Sequence, residues 1–177
     1  TIGRGVTLFA ESFTTIQPDI LILLGDRFEL LSAAAAALTM RIPIAHIHGG
    51  ETTEGAFDEA VRHSLTKISH LHFVAAETYR LRVLQLGEES RRVYLVGGLG
   101  VDAMQQTQML TRCEVATSLG ADFSNRSLLI TFHPVTLANQ PSDEQLDILL
   151  GALHHFGDFT LIFTSPNADT GGEAMAT

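Results

Sequence analysis

Two rhythms of apolar and polar residues alternate along the chain. Short apolar, β-branched runs recur between longer stretches of helical period. Asp19-Ile-Leu-Ile-Leu-Leu24 is a continuous apolar run closed by Gly25, the pattern of a strand buried in a parallel sheet. Phe28 to Met40 is rich in Ala and Leu and predicts a helix. Pro43 to His48 predicts the next strand, stopped by Gly49-Gly50. Phe57 to His70 predicts a helix whose first turn carries Asp58 and Glu59 at the positive end of the helix dipole. Leu71 to Ala76 reads as a strand, Glu77 to Leu86 as a helix ended by Gly87, and Val93 to Val96 as a strand before Gly97-Gly98. Residues 103–126 are more polar and read as a connection with some helix. The rhythm then restarts, with a strand over Ser127 to Phe132, a helix over Ser142 to His155 and a strand over Phe159 to Phe163. Ser142 and Gln145 have the spacing of a capping box. The chain starts in what reads as a helix and stops soon after a strand, so both ends read as cut.

Strands alternating with helices of about 10–15 residues predict an α/β chain. Its parallel sheet is expected to be covered on both faces and joined by right-handed crossovers. In such sheets ligands bind beyond the carboxyl ends of the strands, which directs attention to the residues just after each strand.

Gly25-Asp26-Arg27-Phe28-Glu29 comes after the first strand. There a carboxylate and a guanidinium reach the ligand edge, and Arg27 at a helix start suits a phosphate. An Asp N-cap with a surface Arg is the plainer reading. After the second strand come His46, His48, Gly49, Gly50 and Glu51. Histidines at i and i+2 lie on one face of a strand. A zinc site with Glu51, a core histidine beside a mouth residue, and a polar sugar-binding mouth are all compatible with that pattern. Asp58 and Arg62 are four apart and share a helix face, either as a pocket edge or as an ordinary surface pair. His133, in His133-Pro-Val-Thr136, ends a strand of the second half, where an imidazole can move a proton near neutral pH. The Gly97-Gly98-Leu-Gly100 group lacks the full dinucleotide fingerprint.

Composition narrows the classes. Of 177 residues, 45% are hydrophobic, enough for a core and too many for disorder. The net charge of −9, from 11 basic and 20 acidic residues, argues against nucleic-acid or anionic-membrane surfaces. It leaves room for a local cationic pocket. Cys113 is the one cysteine, which excludes an internal disulfide and suits a reducing cytoplasm. The most apolar stretch, Leu30 to Met40, is far shorter than the ~20 residues that span a bilayer.

Several segments follow one another in a fixed order: Gly25-Asp-Arg-Phe-Glu29, His46-Ile-His-Gly-Gly-Glu51, Gly55-Ala-Phe-Asp-Glu59, Arg62-His63-Ser64 with Thr66-Lys67, Gln85-Leu-Gly-Glu88, Val96 to Asp102, Phe132-His-Pro-Val-Thr136 and Pro166-Asn-Ala-Asp-Thr170. Taken together they resemble the UDP-N-acetylglucosamine 2-epimerase family, and most closely its hydrolysing branch of sialic acid synthesis. The resemblance implies two Rossmann-like domains in a GT-B arrangement. Residues 1–103 would belong to the first, 104–126 would connect, and 127–177 would begin the second, truncated here. It implies conversion of UDP-N-acetylglucosamine and water to N-acetylmannosamine and UDP through 2-acetamidoglucal. Asp26 and Asp58 match catalytic acidic positions, His133 an essential histidine, Arg27 a UDP contact, Arg62 an active-site arginine, and Asn167 a position near the sugar. His63 falls in the same motif as a substrate-binding candidate. His48 stands where several members carry a catalytic glutamate, so that role falls to His48, to Glu51, or to both.

No metal or nicotinamide is implied, and the UDP-sugar is the expected partner. A cytoplasmic homo-oligomer, dimeric or tetrameric when intact, is also implied. Alternatives are a hydrolysing UDP-N,N'-diacetylbacillosamine 2-epimerase, a non-hydrolysing epimerase, and a non-catalytic UDP-sugar-binding module. In the intact protein, His133→Ala is expected to lower turnover by about 10²–10⁴-fold while UDP still binds. Near-normal turnover in a steady-state assay would remove His133 from the mechanism.

Overall fold

The computed structural model describes residues 1–123, 126–135 and 139–165, so Asn167 lies outside the described residues. The chain falls into two units, Thr1–Thr107 and Gln108–Thr177. In the first, the predicted alternation becomes α1 (Ile2–Ile16), β1 (Leu21–Leu24), α2 (Leu30–Thr39), β2 (Ile44–Ile47), α3 (Asp58–Ile68), β3 (Leu71–Val74), α4 (Glu77–Gln85), β4 (Val93–Leu95) and α5 (Leu99–Gln106). The strands pair in parallel in the order β1-β2-β3-β4. The register sets Leu23 beside His46, His46 beside His72, and His72 beside Val93.

That order determines where the helices go. When consecutive parallel strands are added in one direction, right-handed crossovers put every helix on the same face. The core agrees. Leu23 and Ile44 pack with Phe13 of α1, Ala33, Ala34, Ala36 and Ala37 of α2, and Val61 and Leu65 of α3. Val74 and Val93 pack with Val83 of α4. Side chains alternate along a strand, so these sheet residues all share one face. The other face carries Ile22, Leu24 and Tyr94, which are exposed. Phe73 stacks on Tyr94 there, with ring centroids 5.4 Å apart. The expectation of two covered faces is therefore met on one face only among the described residues.

The alanines of α2 matter for distance. With no side chain beyond Cβ they let α1 and α3 close in, and a Cβ on Gly5 of α1 would meet Ser32 Oγ at 2.6 Å. The Ser32 hydroxyl donates to the Ile2 carbonyl at 3.0 Å, tying the two helices.

The second unit holds α6 (Arg112–Leu119), β5 (Ser127–Ile130), α7 (Ser142–Leu153) and β6 (Thr160–Phe163), with β5 and β6 parallel. A capping box is present, but at Thr111 and Glu114 of α6 and not at Ser142. Pro141 precedes α7, and Gln145 is used elsewhere. Its side chain accepts from the Val135 N–H and donates to the Gln140 carbonyl, each at 3.0 Å. No helix among the described residues is long and apolar enough to cross a membrane.

Leu65 is fully buried where α3 meets the sheet. Leu65→Ala should cost about 2–5 kcal/mol, read as a lower urea midpoint at unchanged slope.

Candidate functional site

The carboxyl edge of the first sheet gathers four of the nine expected residues. β2 ends at Ile47, and His48 leaves it with φ 64°, a left-handed conformation that histidine tolerates better than most non-glycine residues. The two histidines consequently part company, and the expectation that both lie on one strand face is not met. His46 points into the core and is fully buried, while His48 is turned out to the strand edge, half-buried. The next two residues, both glycines, are required by space. A Cβ on Gly49 would sit 3.0 Å from Thr66 Oγ1, and Gly50 has φ 80° with Arg82 donating to its carbonyl.

This turn brings Glu51 back over the strand end. Glu51 Oε1 lies 2.6 Å from His48 Nδ1. A carboxylate only accepts, so Nδ1–H donates and the neutral ring's Nε2 carries the lone pair. Glu51 Oε2 lies 4.0 Å from Arg62 Nη1. Arg62 Nη2 donates to Asp26 Oδ2, in the loop after β1. Asp26, Arg62, Glu51 and His48 thus form one chain of contacts drawn from three separate segments.

Arg62 is the unusual member. It is only 7% exposed, although the 3.6-residue period alone allowed a surface pair with Asp58. Its Nε and Nη1 are buried with no hydrogen-bond partner. The charge of this enclosed guanidinium is met by two carboxylates, Asp26 at Nη2 and Glu51 at 4.0 Å from Nη1.

The remaining candidates are spread more widely. Arg27 is exposed, reaches Glu29 Oε1 at 3.4 Å and lies over the Phe28 ring at 5.9 Å. Asp58 opens α3 and is half-buried. His63 Nε2 lies 3.5 Å from Glu59 Oε1 along α3, and its Nδ1 is buried without a partner. His133 comes after β5 in the second unit and is exposed. The zinc reading finds no support in the geometry, because His46 points away from His48 and Glu51. Among the described residues no group of three or more His, Cys, Asp or Glu could hold a metal.

Behind the edge lie residues that sequence reasoning left as core. His46 Nε2 is 2.8 Å from the Gly25 carbonyl and Nδ1 is 3.2 Å from Thr66 Oγ1. Burial lowers the His46 pKa to about 4. The Gly25 hydrogen bond opposes this, His72 and Arg62 reinforce it, and Asp26 opposes it weakly. Burial also lowers the pKa of His72, opposed by Glu88 at 3.1 Å from Nε2. The signal was available for His46, since a histidine inside an apolar strand calls for partners at its nitrogens, whereas His72 meets one at Nε2 and none at Nδ1.

Over residues 1–177 the chain matches a family model described as UDP-N-acetylglucosamine 2-epimerase. It is 41% identical, over 97% of its length, to a GDP/UDP-N,N'-diacetylbacillosamine 2-epimerase (hydrolyzing) of Campylobacter jejuni, covering 45% of that protein. It is 39% identical, over 94% of its length, to polysialic acid biosynthesis protein P7 of Escherichia coli, covering 43%. In fold it is similar to a Methanocaldococcus jannaschii UDP-GlcNAc 2-epimerase in complex with UDP-GlcNAc and UDP. That likeness has a TM-score of 0.79 at 20% identity and covers 98% of this chain and 48% of the other. The chain spans about half the length of the curated relatives it matches.

The buried histidine makes stability depend on pH. Unfolded, His46 takes a proton below its ordinary value of 6.5; folded, it refuses one until about 4. The unfolded state therefore binds more protons in that window, and stability falls as pH drops from 6.5 toward 4. His72 acts in the same direction. Urea unfolding should show roughly 2 kcal/mol less stability at pH 5 than at pH 7.5 from His46 alone. Equal midpoints at the two pH values would contradict a neutral buried His46.

Proposed function

The chain belongs to the UDP-N-acetylglucosamine 2-epimerase family, and from that premise we propose that the intact protein is a hydrolysing 2-epimerase. It converts UDP-N-acetylglucosamine and water to N-acetylmannosamine and UDP. The observation that carries this reading is the edge cluster, in which a buried Arg62 lies between Asp26 and Glu51 while Glu51 holds the His48 imidazole.

The reaction runs in two steps. A base takes the C2 proton and the C2–H electron pair becomes the C1=C2 double bond. The C1–O bond to the phosphate breaks on the opposite face, its electrons leaving with UDP. Water then adds its oxygen to C1 of the 2-acetamidoglucal, and a proton returns to C2 on the other face. His48 Nε2 is suited to take the C2 proton, since Glu51 fixes its tautomer. The carboxylates of Asp26 and Glu51 suit the positive charge that builds at C1 as UDP departs. Arg27, exposed at the start of the α2 region, suits the leaving phosphate. Asp58, Arg62 and His63 line the same helix and suit contacts to the sugar. His133 and Asn167 keep the roles the motif resemblance gives them.

A second reading, hydrolysis of UDP-N,N'-diacetylbacillosamine, is favoured by the 41% identity to the Campylobacter jejuni protein. The two substrates share the C1 and C2 chemistry and differ away from it, the diacetylated sugar carrying a second acetamido group and no C6 hydroxyl.

Proton NMR of the intact protein in deuterated water, with each nucleotide sugar in turn, separates the readings. Free N-acetylmannosamine carrying deuterium at C2 is the expected product from UDP-N-acetylglucosamine. Turnover of the diacetylated sugar alone would favour the second reading. UDP-N-acetylmannosamine, with UDP still attached, would overturn hydrolysis.

A further inference from the structure

We propose that His46 is a positioning residue of this site: it ties the Gly25 carbonyl to the Thr66 hydroxyl, and so sets where Asp26 and Arg62 meet. The inference rests on the proposed reaction for its kinetic test, though not for its structural one.

His46 cannot touch a ligand. It lies within β2, between Leu23 of β1 and His72 of β3 in register, and has no exposed surface. Its two nitrogens nevertheless reach the two segments that carry the ion pair, at Gly25 and at Thr66. A carbonyl oxygen only accepts, so the 2.8 Å contact to Gly25 fixes the proton on Nε2. Gly25 is the residue before Asp26, and its own N–H donates to the Ile47 carbonyl at 3.0 Å. Both backbone groups of Gly25 are thereby held by β2, and its φ of 81° aims the chain into the Asp26 turn.

On the other side, Nδ1 lies 3.2 Å from Thr66 Oγ1, and that hydroxyl lies 3.0 Å from the Arg62 carbonyl one helical turn back. Thr66 is itself fully buried. Its single proton goes to the Nδ1 lone pair or to the Arg62 carbonyl at any one moment, and the hydroxyl is the contact common to the imidazole and the Arg62 backbone. The third catalytic segment presses on the same ring. A Cβ on Gly49 would stand 3.1 Å from His46 Nδ1 and 3.0 Å from Thr66 Oγ1, so the turn that carries His48 and Glu51 closes directly over this pair. One imidazole is therefore the common support of the Asp26 loop, the Glu51 turn and the Arg62 helix. Both ring nitrogens of His46 are met, whereas the buried Nδ1 of His72 on the next strand has no hydrogen-bond partner.

The test uses the intact protein and three variants. His46→Leu removes both contacts and Thr66→Val keeps the shape while removing the hydroxyl. His46→Gln keeps an amide N–H where Nε2–H stood. A displacement of about 1 Å in the ion pair costs on the order of 100-fold in rate. We expect His46→Leu and Thr66→Val to lower kcat by about 10–100-fold with KM moved less than about threefold. His46→Gln should recover kcat to within about tenfold of the parent.

A folded His46→Leu protein with kcat within about twofold of the parent would overturn the proposal. If that variant does not fold, unchanged kcat in Thr66→Val overturns it instead. The Arg62 Nε–H resonance in nitrogen-15 NMR gives a readout independent of turnover. It should shift in Thr66→Val and hold its position in His46→Gln. A resonance that stays fixed in Thr66→Val overturns the proposal. A parent protein that turns over no 2-acetamido nucleotide sugar sinks the functional reading, and the resonance alone then decides on His46.

Discussion

A guanidinium enclosed by protein is tolerated only beside negative charge, because removing a cation from water costs several kcal/mol unless it is paired. Arg62 is in that position, and much of the carboxyl edge depends on it. Asp26 must come back over the end of β1 to accept from Nη2, and Glu51 must come over the end of β2 to lie 4.0 Å from Nη1. Glu51 in turn orients His48. Remove the cation, and two carboxylates from different loops are left near each other with mutual repulsion and nothing between them. The cluster is thus a structural clasp across the carboxyl edge of the sheet.

The sheet makes this arrangement possible. Parallel strands all end at the same edge, so the loops after β1 and β2 meet without any long excursion. Right-handed crossovers lay α3 against the same sheet face as α2, which puts Arg62 beneath both loops. The alanines of α2 let the helices approach, and the glycines after His48 let the turn fold flat against Thr66 and Tyr79. Small residues here are demanded by distance, not by flexibility.

Much of this was legible in the sequence. Each apolar run became a strand within a few residues of its expected ends, because parallel strands buried in a core have a simple code. Asp26, Glu51 and His48 stood out because parallel sheets bind ligands at the carboxyl ends of their strands, and Arg62 stood out by its helical spacing from Asp58 and by the motif it shares with the family. What failed has physical causes. Alternation placed His46 and His48 on one face, but the strand stops at Ile47 and the left-handed turn at His48 breaks the period. The helical spacing of Arg62 and Asp58 stands, since both lie on α3, but the contact of Arg62 with Asp26, 36 residues away, shows only in the tertiary structure. The capping-box pattern at Ser142 was defeated by Gln145 serving the Val135 N–H. Among the described residues the helices pack on one face of the sheet, in keeping with its strand order.

The Arg62–Asp26 pair holds the site together, and a double-mutant cycle on stability tests that claim most directly. Asp26→Ala, Arg62→Ala and the double variant of the intact protein would be compared by urea unfolding. Each single change should cost about 3–5 kcal/mol, and the double change distinctly less than the sum, with a coupling of about 1.5 kcal/mol or more. Costs that add to within about 0.5 kcal/mol would show that the two residues act independently. That result would contradict the central role given to the pair.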